Sequence, residues 1–214
     1  MKSAISFSAW CTLILCSSAC ADDAFNGKNF EGWMVKPENP AVWQVIKDKN
    51  GEPMIARQPV SSYLWTKRKF ADFTLELEYM VSPGCNSGVF FRSDPDNPVQ
   101  GGFEIQIFDS HGQDPTRHNT GALYDASPAS HMPENPANQW NTFKLTCQGP
   151  KISVHINGVL VQDVDIDRWV KPRQNPDGSE NKFKTALKDL PRTGHIGFQD
   201  HGHNVWYRRI RIVE

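Results

Sequence analysis

The most restrictive stretch of the chain is NTFKLTCQGPKISVHINGVLVQDV, residues 141–164. Its first part puts Phe143, Leu145 and Cys147 on one side with polar residues between them. That period of two sends successive side chains to opposite faces of a β-strand. Its second part carries Asn157-Gly158 between two apolar runs. Both central residues of a type I′ turn need positive φ, which Asn and Gly tolerate best, so the dipeptide predicts a two-residue hairpin. The same period recurs in DFTLELEYMV (72–81), SGVFFRS (87–93), GFEIQIFD (102–109), GHIGFQDHG (194–202) and VWYRRIRIVE (205–214). The last run breaks its parity between Tyr207 and Ile210, which predicts a bulge near Arg208-Arg209. No stretch sustains a 3.6-residue period over three turns, and only FKTALKDL (183–190), within the polar stretch 168–193, predicts a short helix. Fifteen Gly and fifteen Pro lie scattered between the runs, as turns require. The expectation is an all-β, two-sheet antiparallel β-sandwich of the jelly-roll kind, built by 214 residues as one domain.

Residues 1–21 stand apart. Lys2 gives a positive start, AWCTLILC is a short apolar run, and Ala19-Cys20-Ala21 offers small residues for cleavage, the pattern of a secretory signal peptide. The run is shorter than the roughly 20 apolar residues of a spanning helix. This predicts a secreted or periplasmic domain over 22–214 with no membrane span. Lipid anchoring through Cys20 is the competing reading, against which Ser17 stands where such signals usually carry Leu or Val. Cleavage after Ala21 leaves Cys85 and Cys147 in a compartment that permits a disulfide without requiring one. A net charge of −1 offers no field for nucleic acid or other polyanions.

The outward faces carry the functional signal. If Phe103, Ile105 and Ile107 point between the sheets, then Glu104, Gln106 and Phe108 point outward, as Gln199 and His201 do opposite Ile196 and Phe198. Asn86, Phe90 and Arg92 share a face by the same rule. Arg92, Glu104, Gln106, Gln199 and His201 are therefore expected on one face. Amides and an aromatic ring there suit a sugar, whose hydroxyls they bind and on whose ring they stack.

The blocks FNGKNFEGW (25–33), NSGVFFRS (86–93), GFEIQIFD (102–109), TGALYD (120–125), WNTFKLTCQGPKISVHINGVLV (140–161), GHIGFQDHG (194–202) and RRIRI (208–212) resemble, in order, the signatures of the 3-keto-disaccharide hydrolase family. The resemblance spans nearly all of residues 22–214. It implies a concanavalin-like jelly roll, export, and action on glycosides whose sugar is oxidised to a ketone at carbon 3. Laminarinase-like glucanases of the wider jelly-roll group carry Glu-x-Asp-x-Glu on the strand where this chain has Glu104, Gln106 and Phe108. Retaining hydrolysis needs two carboxyl groups about 5 to 5.5 Å apart, and this strand supplies one.

A 3-keto sugar asks for different chemistry. The ketone acidifies the hydrogen on carbon 2, and its removal lets the carbon 1 oxygen leave, after which water adds. One base, a cation or donor for the enolate oxygen and groups that orient the ring suffice. His201 is the expected base, with Glu104 as its rival if burial raises its pKa. Arg92 is expected to hold the enolate oxygen, or else to sit in an ion pair. Gln106 and Gln199 would bind hydroxyls, Phe108 would stack, and Tyr124 would line the rim or give a proton. Asp109 and Asp200 would orient His201 or cap turns. No metal is expected, although His201 and His203 with Asp200 or Glu104 leave a divalent cation open, and Gly202 would tend to split that pair. The loop 110–119, with His111 and His118, is expected to overhang the pocket. A lectin-like glycan-binding module without turnover and a purely structural domain are the competing readings.

Overall fold

Alternation in sequence becomes alternation in burial: from Phe73 to Val81 every second side chain is buried and those between are half-buried. In the computed structural model, which describes residues 22–36, 43–57 and 62–214, such segments make thirteen strands. These are β1 (Asp22–Asp23), β2 (Trp33–Lys36), β3 (Trp43–Lys47), β4 (Pro53–Arg57), β5 (Tyr63–Thr66), β6 (Phe73–Val81) and β7 (Asn86–Ser93). They continue with β8 (Phe103–Phe108), β9 (Asn141–Gln148), β10 (Lys151–Ile156), β11 (Val159–Asp165), β12 (His195–Phe198) and β13 (Val205–Val213). The larger sheet runs β11-β10-β9-β6-β13-β4-β3, with β1 also on β13, and the smaller runs β2-β5-β12-β7-β8. All pairings are antiparallel. The all-β two-sheet sandwich expected from the alternation is the fold.

The inner faces pack through aromatic rings. Phe198 of the small sheet stacks on Tyr207 of the large one at 4.2 Å between centroids and on Trp33 at 5.4 Å. Leu75, Leu77, Leu145, Ile152, Val154, Ile105 and Ile107 fill the space beside them. Cys85 and Cys147 are buried free thiols, and burial pushes both up to about 12.

The Asn157-Gly158 turn joins β10 to β11 with φ of 50° and 79°. The bulge in β13 falls where parity broke: its register against β6 shifts between Arg208 and Arg211, and Arg209 has a φ of 52°. The helix expected over 183–190 shrinks to a single 3-10 turn, Leu187–Asp189, because no side chain caps its start and Leu190 is already extended. The strand expected to run from 194 to 202 ends at Phe198. The proposed signal segment lies outside the described residues.

Arg92 corrects a second expectation. The β7–β12 register slips between His195 and Gly197, and Arg92 sits at φ 47°, so parity fails at the end of β7. Its side chain leaves the outer face and is fully buried. Nε donates to the Ala71 carbonyl at 2.8 Å, Nη1 to Gly149 at 2.7 Å, and Nη2 to the Asp72 carboxylate at 3.0 Å. This arginine ties β7 to two neighbouring turns, with all three nitrogens engaged and the side chain closed off from solvent.

Candidate functional site

On the outward face of the small sheet, pairing register lines residues up in rows. Trp65 of β5 pairs with Gly197 of β12, Gly197 with Phe90 of β7, and Phe90 with Glu104 of β8. Beyond β8 the segment 121–124 runs alongside: the Tyr124 amide donates to Glu104 and the Gly121 amide to Gln106, both at 2.9 Å. Tyr124 thus extends the row past Glu104. In the neighbouring row Lys36 pairs with Tyr63, the Gln199 amide donates to Gly88, and Gly88 pairs with Gln106.

Two glycines make room for large side chains on this face. A Cβ at Gly197 would come within 2.3 Å of the Trp65 ring, and a Cβ at Gly88 within 2.2 Å of Glu104 Oε1. Trp65 and Phe90, both fully buried, stack at 5.4 Å, with Tyr63 5.6 Å from Phe90, so a buried aromatic stack lies beside a carboxylate. Glu104 Oε1, Gln106 Oε1, Gln199 Oε1 and Trp65 Nε1 are all buried without a partner in the protein. Buried polar groups are nearly always bonded, so three acceptors and a donor left open on one face call for partners from outside the protein, water or a ligand.

Glu104 is 5% exposed, and burial pushes its carboxyl up to about 7 against the opposing pull of Lys182. Lys182 Nζ stands 3.9 Å from Glu104 Oε2 and 4.0 Å from the centre of the Tyr124 ring. The lysine's backbone is held in place. Its amide donates to Asp125 Oδ2 at 2.5 Å, and Gln100 accepts from Lys184 and donates to the Lys182 carbonyl at 2.9 and 3.0 Å. Asp125 also holds His118 Nε2 at 3.1 Å, and the His118 ring lies 5.0 Å from that of Tyr124. Burial raises the Tyr63 and Tyr124 hydroxyls, and the Glu104 charge raises both further.

The expected residues divide. Glu104, Gln106, Gln199 and Tyr124 come together. Gln106 Nε2 donates to Asn86 Oδ1 at 3.0 Å, which leaves its oxygen open. Phe108 is half-buried at the end of β8, opposite Asn86. Asp109 caps a turn, accepting the Gly84 amide at 2.8 Å. Asp200 accepts the Ser62 and Gly202 amides at 3.0 and 2.8 Å and pairs with buried Arg57, so its carboxylate anchors a turn and does not reach His201. His201 is exposed and lines a cleft of about 610 Å3 with Lys36, Tyr63, Pro95 and Pro98. Glu104 does not line that cleft. Tyr63 links the two, since its hydroxyl feels both Glu104 and Asp200. Gly202, at φ 91°, turns the chain between His201 and His203, and among the described residues no three His, Cys, Asp or Glu side chains gather as a metal site requires.

Tyr63, Trp65 and Lys182 were not among the expected residues, whereas strand parity puts Phe90 on an outward face without assigning it a role. Trp65 and Tyr63 lie on a four-residue strand too short to show a period. Lys182 lies in an irregular stretch, where sequence says nothing about which face a side chain meets.

The sequence profile of the 3-keto-alpha-glucoside-1,2-lyase-like domain matches residues 21–213. A 3-keto-disaccharide hydrolase of Bacteroides thetaiotaomicron is 29% identical over 88% of this chain and 76% of its own. A candidate glycosyl hydrolase from Parabacteroides distasonis superposes with a TM-score of 0.79 at 30% identity, covering 90% of this chain and 98% of that one. The carbohydrate-binding module CBM66 from Bacillus subtilis shares the fold at a TM-score of 0.51 and 15% identity, over 87% of this chain and 98% of its own.

Proposed function

The chain belongs to the family of 3-keto-alpha-glucoside-1,2-lyase-like domains, and from that premise we propose that it cleaves glycosides whose sugar carries a ketone at carbon 3. Glu104 takes the proton from carbon 2. It does so from a buried position with its pKa near 7, where a base is both available and strong enough to act. His201, exposed on a turn, gives up the role first expected of it. Lys182 supplies the positive charge at carbon 3 that Arg92 was expected to supply. The leaving group departs from carbon 1, and water adds to the unsaturated sugar. Gln106 and Gln199 accept from hydroxyls through their open oxygens, beside the buried Trp65–Phe90 stack. Export through the segment 1–21 belongs to the same proposal; among the described residues no helix is long and apolar enough to cross a membrane.

The observation that carries this reading is a single buried carboxyl, unpartnered at Oε1, with an ammonium 3.9 Å from its other oxygen. Paired-carboxylate hydrolysis has no second acid on this strand, whereas elimination needs only one base. The test is release of a chromogenic leaving group from a 3-keto glucoside. The wild type turns over, Glu104→Gln loses roughly 100-fold or more, and His201→Ala stays within about tenfold. Sugar binding without turnover by the wild type would instead make the chain a glycan-binding module.

A further inference from the structure

Resting on the reading above, we infer that Lys182 attacks the ketone carbon of the substrate and carries the sugar as a covalent iminium through the cleavage. Such an amine must be reachable, partly stripped of water, and without hydrogen-bond acceptors that hold it as an ammonium ion. Lys182 meets the first two, and on the third the acceptor facing it, Glu104 Oε2, lies beyond hydrogen-bond length, while the Glu104 charge and the Tyr124 ring face favour its ammonium form against burial. Its side chain is 25% exposed, against 39% to 64% for Lys36, Lys144, Lys151 and Lys188, the other lysines in ion pairs among the described residues. Nζ faces two aromatic rings, Tyr124 at 4.0 Å and Phe183 at 5.5 Å, and Glu104 Oε2 at 3.9 Å lies beyond hydrogen-bond length. Burial lowers its pKa against the opposing charges of Glu104 and Asp125. The bonds from Asp125 and Gln100 fix its backbone, so the amine is held beside the carboxyl that must serve it.

The chemistry balances with water alone. The Lys182 lone pair forms a bond to carbon 3 as the carbonyl pair moves to oxygen. That oxygen leaves as water, with one proton from the nitrogen and one from protonated Glu104, giving the iminium ion and a free carboxylate. The carboxylate then takes the proton from carbon 2, the C–H pair becomes the C2–C3 double bond, and the iminium pair returns to nitrogen. The resulting enamine expels the carbon 1 oxygen, which takes the proton back from Glu104, and leaves an iminium conjugated to a C1–C2 double bond. Water adds its oxygen to carbon 1 and a proton to carbon 2. A second water then hydrolyses the iminium, restoring the ketone and the amine. One water is consumed per bond cleaved, and Glu104 serves as acid and base in turn, as a pKa near 7 allows.

The test is trapping with cyanoborohydride, which reduces iminium ions to stable secondary amines. Wild-type protein is incubated with a 3-keto glucoside and the reductant while turnover is followed, and the adduct is mapped by peptide mass spectrometry. The expected result is one sugar-derived adduct on Lys182, absent in Lys182→Met, with turnover falling as the adduct accumulates. Lys182→Arg keeps the charge but cannot form the iminium, and its turnover should drop roughly 100-fold or more. Undiminished turnover without an adduct, or Lys182→Arg within about tenfold of wild type, overturns the covalent role and leaves Glu104 as base. Absence of both turnover and adduct in the wild type overturns the substrate class and this inference with it.

Discussion

Ionised Glu104 weakens the fold that holds it. Its folded pKa of about 7 lies above the ordinary 4.5 of a glutamic acid, so the folded state binds the proton more tightly than the unfolded chain. Stability from this group is fully present below about pH 4.5 and is lost as pH rises through about 7. A shift of that size corresponds to roughly 3 kcal/mol at most. Glu104→Gln should therefore melt higher than wild type at pH 8, by up to roughly 10 °C, and the gap should close near pH 4.5, while activity is lost. Thermal melts across pH check this, and a variant that melts like wild type at every pH would show that the carboxyl is not held as described. With Glu104 acting as base alone, wild-type kcat/KM should in turn rise with pH through about 7, because the base works ionised; the iminium route, which starts from protonated Glu104, should make it fall over the same range. Gain of stability together with loss of activity is the signature of a residue kept for chemistry.

At the scale of elements, the site depends on what β7 lacks. Gly88 sits across from Gln106, and its missing side chain is the space into which the Glu104 carboxylate leans. Gly88→Ala should displace that carboxylate, costing about 1–3 kcal/mol by overpacking and lowering turnover more than roughly tenfold. In a Glu104→Ala background the same substitution should cost almost nothing, since the clash is gone. A double-mutant cycle by chemical denaturation measures this, and an equal cost in both backgrounds would contradict it. Strand parity made Glu104, Gln106 and Gln199 legible from sequence because nothing interrupts alternation between the core residues beside them and these positions. Parity misled at Arg92, where the register slip turns the side chain away from the outer face. It also misled at His201, because β12 ends at Phe198 and a turn rather than a strand aims the imidazole. Lys182 was invisible for a third reason: it is placed by hydrogen bonds to Asp125 and Gln100, 57 and 82 residues away in sequence.

Across the whole molecule the two outer faces divide their roles. The larger sheet covers its outer face with charge pairs: Arg208 bonds Asp48 and Glu78, and Arg209 bonds Glu52 and Glu78. Those charges pair with one another. The smaller sheet packs buried aromatic rings beside unpartnered acceptors instead, and the proposed site rests on this asymmetry. The sandwich itself was readable because long strands announce their period, whereas the five strands before residue 67 are two to five residues long and do not. Removal of the carbon 2 proton by Glu104 leaves its mark in D2O. A 3-keto glucoside is turned over by wild-type protein, and the released sugar is analysed by NMR before background exchange sets in. The account predicts deuterium at carbon 2 in every product molecule, and loss of both product and exchange with Glu104→Gln. Product that retains its original hydrogen at carbon 2 would mean that the bond is cut without proton abstraction there, and would contradict it.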